Sequence, residues 1–347
     1  MSLPPLKDTK EFQKRFLDQI KSRIGGEEIL ASHLSMTLGI GLNAAYKKVQ
    51  QTTLLSLNDI ILLSKAYQIS VDQLLPFDFS PIPFLADGVR RQPESYSDYF
   101  VNIKNHLEKL IYLKDVKFIN LSGEAPLFHF LLFPKLLSFK LYAWNFTSWM
   151  LDKYKRELDL SIVDRDIELK VHVEDCLKIY YRFEGIEIWN SRMLDITMDQ
   201  IKYFIQLRKF KNRHEVMELV NSVYDMADHL SNITSMGIKK AETNQYLSKA
   251  KVEVYLNELV YSSDVFYVFS RDVEAVFINY NPPNLIRTTD KRFAGYTKNW
   301  LTETLKHSSL ISKEGELERS ELNHTMNTKL DRAKKEIEGL LILKYPS

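Results

Sequence analysis

Five residues lie close together in the sequence: Leu42, Asn43, Tyr46, Lys47 and Lys48. They include side chains that can hydrogen-bond to bases, and two of them are positively charged. An amide such as Asn43 can pair with an adenine edge, and an ammonium such as Lys47 with a guanine edge or a phosphate. Tyr46 can contact a phosphate or a thymine methyl group. We therefore predict that these five residues contact double-stranded DNA.

The distribution of charge around these residues supports the same interpretation. No Asp or Glu occurs from Ile29 to Asn58, although the chain has 45 acidic residues and a net charge of only +2. Because phosphates repel carboxylates, a surface that faces DNA is expected to lack acidic side chains.

Short helices must position these side chains. Residues 7–75 read as five helices, and Gly39 marks a sharp turn before the third. Ser56 is a good N-cap for the fourth. The predicted helices are Asp8–Arg23, Glu27–Leu38, Leu42–Gln50, Leu57–Tyr67 and Val71–Leu75, and the predicted buried stripe is Leu34, Leu38, Ile40, Ala45 and Val49.

The runs LSMTLGIGLNAAYKKV and LSLNDIILLSKAYQISVDQLL resemble the Cro/CI (Xre-like) helix-turn-helix regulators over Leu34 to Leu75. The resemblance implies a glycine-centred turn, a recognition helix that begins near Leu42, and a DNA reader followed by a sensing or dimerising region. Gly41 departs from the family pattern, since it replaces the usual Ser or Thr cap of the recognition helix. The alternative is a scaffold protein whose N-terminal helices contact only other proteins.

The fold class expected from these patterns is multidomain. An all-α five-helix helix-turn-helix domain over residues 1–76 is followed by a proline-rich linker over 77–97. A larger, helix-rich α+β domain for sensing or dimerisation then covers 98–347. Its predicted helices are Tyr99–Leu113, Asp166–Tyr181, Met198–Arg208, His214–Ile238, Asp290–His307 and Glu314–Leu340. Its predicted strands are Val116–Leu121, Ile186–Trp189, Val252–Val260, Val265–Ser270 and Val273–Asn279, with the last three forming a meander.

An aromatic-rich helical segment is predicted from Pro126 to Lys153, with a kink at Pro134. Such a segment can line an apolar cavity for a small-molecule effector of unknown identity, or it can be the buried central helix of the domain. The candidate pocket residues are Phe130, Phe133, Tyr142 and Trp144.

The sequence favours neither catalysis nor a bound cofactor. It contains no phosphate-binding glycine loop, no dinucleotide-binding motif, no HExxH and no GxSxG. Its only cysteine, Cys176, excludes an internal disulfide and a cysteine-based zinc site. With neither a signal peptide nor a membrane segment in the pattern, we expect no metal, no cofactor, no enzymatic activity and a cytoplasmic location.

A homodimer is expected because one recognition helix reads too few base pairs to select a site. The apolar faces of the N-terminal helices are expected to be used within that domain, which would place the dimer contact after residue 98. Two amphipathic stripes are candidates, and each can equally be internal. They are Val216, Leu219, Val223, Met226, Leu230 and Ile233, and Leu322, Met326, Leu330, Ala333, Ile337 and Leu341.

Overall fold

The computed structural model divides the chain into two compact units, Met1–Pro83 and Phe84–Ser347. It describes residues 9–24, 29–71, 74–75, 81–86, 92–155, 158–239, 250–259, 264–271 and 273–345. The protein is a helix-rich α+β protein with a mixed sheet in its larger unit. The boundary between the units lies within the predicted linker.

The described part of the smaller unit contains four helices, α1 to α4. They are Thr9–Ile24, Leu30–Leu38, Leu42–Val49 and Leu57–Tyr67. The predicted fifth helix, Val71–Leu75, falls partly outside the described residues, and Phe77 and Phe79 of the predicted linker lie outside them.

The core of the smaller unit is built from the apolar positions of these helices. Phe16 and Ile20 of α1, Leu34 of α2, Ala45 of α3 and Leu63 of α4 are fully buried. Leu38, Ile40 and Val49 are partly buried against them. The stripe predicted from the sequence therefore faces this core.

A tyrosine joins α2 to α4. The Tyr67 hydroxyl lies 3.2 Å from Nδ1 of His33 and 3.1 Å from the hydroxyl of Thr37. Ser56 and Asp59 form a capping box at the start of α4, as the choice of Ser56 as N-cap predicted.

The larger unit contains the remaining described helices, α5 to α13, and the strands β1 to β7. In chain order they are α5 Tyr96–Ile111, β1 Lys117–Leu121, α6 Leu127–Phe130, α7 Pro134–Trp144, α8 Ile162–Arg165, α9 Ile167–Tyr180, β2 Glu184–Trp189, α10 Asp195–Gln206, α11 Arg213–Met236, β3 Val252–Leu256, β4 Val265–Phe269, β5 Glu274–Asn281, β6 Asn284–Thr288, α12 Lys291–Lys306, β7 Ser309–Leu310 and α13 Glu316–Lys344. A wide helical turn, Asn145–Trp149, extends α7, and a short turn of helix covers Asp152–Tyr154.

The sheet has the strand order β6-β5-β4-β1-β2-β3-β7. β1, β2 and β3 are parallel, with Leu121 opposite Ile188 and Ile188 opposite Tyr255. β4, β5 and β6 form an antiparallel run on the other side of β1, where Leu121 is opposite Val265. The larger core lies between the sheet and α5, α6, α7, α9, α10, α11 and α13, whereas α12 contributes to a smaller core with Ile119 and Tyr267.

The predicted meander is wrong in its first strand. β3 pairs with β2 in parallel, and the antiparallel run is completed by β6, which the sequence reading missed. A parallel neighbour requires a long crossover, which α10 and α11 supply between β2 and β3.

Pro134 begins a helix and does not kink a continuous one. α6 ends at Phe130, and α7 starts with Pro134 in its first position, where the missing proline N–H costs nothing. Part of the predicted linker also has a fixed place in the larger unit, since Leu85 exchanges two backbone hydrogen bonds with Arg287.

Candidate nucleic-acid interface

The turn between α2 and α3 is three residues long and begins with a glycine. Gly39 has φ +65° and ψ 31°, a left-handed conformation in which a side chain would be strained. Its N–H donates to the carbonyl of Ser35. The Ser35 hydroxyl also donates to the carbonyl of Ile40 at 2.6 Å, so one residue of α2 holds the first two residues of the turn.

α3 buries one side and exposes the other. Ala45 is fully buried, whereas Leu42 and Tyr46 are each 46% exposed. Asn43 and Lys47 are exposed as well. Four of the five predicted contact residues therefore lie on the outer face of this helix, where they can reach a ligand as large as a duplex.

Lys48 is placed differently from the other four. Its ammonium lies 2.7 Å from Oδ2 of Asp59, and both side chains are only 13% exposed. Burial raises the pKa of Asp59, but the hydrogen bonds from Lys48 and Ser56 outweigh this and hold it below its usual value. The charge of Lys48 is thus neutralised within the unit, and the exposed positive charge of α3 is that of Lys47.

The smaller unit does leave apolar side chains at its surface, contrary to the expectation that its helices use them all internally. Leu57 of α4 is 74% exposed, and Ile61 and Leu62 of the same helix are also exposed. Leu54 precedes them in the connecting segment and is exposed too. A dimer contact is therefore not restricted to the residues beyond 98, as the sequence had led us to expect.

Both candidate dimer stripes are internal. In α11, the six residues from Val216 to Ile233 are at most 1% exposed, and they belong to the core of the larger unit. In α13, Leu322, Met326, Leu330, Ile337 and Leu341 are buried in the same core. The sequence left open whether each stripe forms a dimer contact or packs within the chain, and in the structure both pack within the chain.

The four candidate pocket residues lie within the core of the larger unit. Phe130, Tyr142 and Trp144 are buried, and Phe133 is partly buried against the same cluster. A surface groove of about 590 Å³ lies between α10 and α13 instead, lined by Asp199, Lys202, Tyr203, Gln206, Glu336, Gly339, Leu340 and Leu343. The aromatic residues thus fill the core and do not line this groove.

The sequence reading missed a buried polar network centred on Glu187 of β2. The Glu187 carboxylate accepts hydrogen bonds from Tyr180 at 2.5 Å, from the Trp189 indole at 2.8 Å and from His129 at 3.0 Å. Nδ1 of His129 lies 3.3 Å from Nε2 of His229 on α11. The alternation of charged Glu187 with Ile186 and Ile188 in a short strand was the available signal, but it predicts an exposed glutamate.

Burial and neighbouring charges shift the protonation of this network. Burial lowers the pKa of His229 to about 3, and the charge of His129 acts in the same direction while Glu187 opposes it. Burial also lowers the pKa of Lys239 to about 7. Burial opposes the ionisation of Glu187, but His129, Tyr180 and Lys239 lower its pKa to about 2. The carboxylate is therefore charged and His229 neutral at physiological pH.

His229 should make the larger unit sensitive to acid. Its native pKa is below the 6.5 of an unfolded histidine, so its contribution is complete above pH 6.5 and is lost as the pH falls towards 3. In that window this group should reduce the free energy of unfolding by about 1.4 kcal/mol per pH unit. Urea unfolding followed by circular dichroism at pH 7, 6 and 5 should show a shallower loss in His229→Gln than in the wild type.

The matched control for this prediction is His214→Gln on the same helix. The His214 side chain is 83% exposed, so its replacement should leave the pH dependence as it is in the wild type. Equal slopes for the wild type and His229→Gln would show that His229 is not held neutral.

Comparisons of the chain with protein-family models, with curated proteins and with solved structures found no match. Among the helices that the structure describes, none combines the length and the apolar character needed to cross a bilayer. Within the same residues, no three or more His, Cys, Asp or Glu side chains are arranged so that they could hold a metal ion.

Proposed function

We propose that the chain is a sequence-specific DNA-binding regulator that places α3 in the major groove of double-stranded DNA. The observation that carries the proposal is the outer face of α3, where Asn43, Tyr46 and Lys47 are exposed beside a tight glycine turn. An eight-residue helix with an exposed amide and an exposed ammonium matches the geometry and chemistry of groove recognition.

The surroundings of α3 favour a polyanionic partner. The stretch from Ile29 to Asn58 contains no carboxylate, and Asp59, the first one after it, is occupied by Lys48 and by its own helix cap. A phosphate backbone that approaches Lys47 therefore meets little repulsion from this stretch. The larger unit would serve as an effector-binding or dimerisation domain.

The chain should act as a homodimer, since two half-sites about 34 Å apart supply the selectivity that one reading helix lacks. The buried stripes of α11 and α13 are occupied within the chain and are not part of this proposal. Light scattering at micromolar concentration should give twice the mass of the chain. A monomer under those conditions would contradict the dimer without affecting the assignment of α3.

A scaffold function is the second candidate, because one observation favours it. Leu57, Ile61 and Leu62 expose apolar surface on α4, which suits a protein partner better than a phosphate backbone. The two functions differ in their response to duplex DNA, so the experiment on α3 decides between them.

The test starts from a selection of bound DNA sequences by the full-length chain, followed by titrations of the selected duplex at several salt concentrations. Asn43→Ala should relax the preference at one base position, by about 1–3 kcal/mol. Lys47→Ala should weaken binding to all sequences alike and reduce the slope of log K against log salt by about 0.9.

The control for Lys47 is Lys65→Ala, which removes the same charge from an exposed position of α4. It should change the salt slope less than Lys47→Ala does. Equal, sequence-blind losses for Asn43→Ala and Lys47→Ala would show that α3 does not read the bases. Failure of the wild type to select any DNA would favour the scaffold function.

A further inference from the structure

A buried glutamine in α1 lies close to the end of α3. Gln13 is only 2% exposed and belongs to a helix face whose other buried members are apolar. A primary amide has two donors and a carbonyl acceptor, and burying it without partners is unfavourable. Its partners therefore show which parts of the unit it joins.

All three described hydrogen bonds of the Gln13 side chain go to the end of α3 and the segment after it. Nε2 donates to the carbonyl of Lys48 at 2.7 Å and to the carbonyl of Thr53 at 3.1 Å. Oε1 accepts from the backbone N–H of Leu55 at 2.8 Å. The partners are 35 to 42 residues away along the chain, so this side chain connects α1 directly to the exit of α3.

The two ends of α3 are held by different means. At its start, Gly41 supplies no side-chain cap. At its end, the Lys47 carbonyl accepts from Thr52 and Thr53, and the Lys48 carbonyl accepts from Gln51 as well as from Gln13. Gln13 therefore ties the C-terminal end of α3 to α1, close to the exposed Tyr46 and Lys47.

We propose that Gln13 is a positioning residue for DNA recognition: it fixes the last turn of α3 against α1, and the orientation of the whole eight-residue helix in the groove, including that of the proposed base reader Asn43, depends on it. The inference rests on the proposed function of α3. Gln13 itself is buried and makes no contact with the nucleic acid. Its loss should impair the choice between DNA sequences more than it impairs binding to DNA in general.

Two variants of the full-length chain test this role. Gln13→Met keeps the approximate length and removes all three hydrogen bonds. Gln13→Glu keeps the acceptor for Leu55 but removes both donations to the carbonyls. In both variants the ratio of affinities for the selected duplex and a single-base variant should fall about tenfold. In Gln13→Met the salt slope should stay as in the wild type, because Lys47 keeps its charge and no charge is added.

Hydrogen exchange measured by mass spectrometry provides a second readout that does not need DNA. Both Gln13 variants should lose protection in residues 46–56 while α2 and α4 keep theirs. Tyr67→Phe is the matched control, since it removes hydrogen bonds between α2 and α4 and none at the end of α3. It should destabilise the unit and leave the ratio of affinities unchanged.

Uniform loss of protection throughout the unit, or an equal loss of sequence preference in Tyr67→Phe, would overturn the positioning role. A wild type that shows no preference among duplexes would overturn the proposed function itself. In that case the exchange pattern alone still decides whether Gln13 fixes the end of α3.

Discussion

Replacing Val223 by aspartate is expected to unfold the larger unit. Val223 is fully buried near the centre of α11, between Leu219 and Met226, which are also fully buried. A carboxylate placed there loses its hydration without gaining a partner designed for it, at a cost of several kcal/mol. Because domains are stable by only about 5–15 kcal/mol, most of the cooperative transition in urea should be lost.

The control is Asn221→Asp, which adds the same carboxylate to an exposed position of the same helix. Its urea transition, followed by circular dichroism, should stay close to that of the wild type. The opposite result for Val223→Asp, a folded chain that has only lost self-association, would show that this face of α11 is an interface between copies.

The pH dependence gives a further sign of where the new carboxylate lies. Burial raises the pKa of a carboxyl group, so the folded Val223→Asp variant would bind a proton more readily than the unfolded chain. Its stability should therefore rise relative to the wild type as the pH falls from 7 towards 4. An exposed aspartate at position 221 should show no such recovery.

Spacing in the sequence could identify the apolar face of α11 but not the element that covers it. The steps of three and four from Val216 to Ile233 are those of a helix packed along one side, and this helix is observed. Two of its covering helices, α7 and α13, are separated from it by long stretches of chain. A periodic stripe has the same form whether it is buried within a chain or between two copies.

Around α3, too, the local features could be predicted from the sequence and the long-range contacts could not. Gly39 and Ser56 act within a few residues of their own positions, so the turn and the helix cap could be predicted from the sequence. The pairing of Lys48 with Asp59 depends on the fold of the whole unit. The spacing of Gln13 from Phe16 and Ile20 places it on the apolar face of α1, but its partners are up to 42 positions away and the helical pattern does not identify them.

In the sheet, the positions of strands could be predicted from the sequence, but their pairing could not. β1 and β2 were predicted within three residues of their observed bounds, since short apolar runs are a local signal. The neighbour of β3 was predicted wrongly, because the closeness of β3 and β4 in the sequence suggested that these two strands pair, whereas β3 pairs with β2. β7 has only two residues, Ser309 and Leu310, and it exists through its pairing with β3.

Replacing Glu187 by leucine should destabilise the larger unit by about 3–5 kcal/mol, as expected when one partner of a buried, charged network is removed. The carboxylate is fully buried and accepts hydrogen bonds from Tyr180, Trp189 and His129, so its loss leaves three buried donors without this acceptor. Leucine fills much of the volume but satisfies none of the donors. Urea unfolding at pH 7 measures the loss.

Glu184→Leu on the same strand separates this effect from the general cost of replacing a glutamate in β2. Glu184 is half-exposed, and its carboxylate lies 3.8 Å from the ammonium of Lys117, so the change should cost less than about 1 kcal/mol.

Glu187→Gln separates the effect of the charge at position 187 from the effect of the side chain's shape. It keeps one acceptor oxygen but turns an amide towards the donors, and it removes the negative charge that favours protonation of Lys239. Its stability should lie between those of the wild type and Glu187→Leu. If Glu187→Leu were as stable as Glu184→Leu, the donors around position 187 would have found other partners, and the network would not be needed to hold α6, α9 and α11 on the sheet.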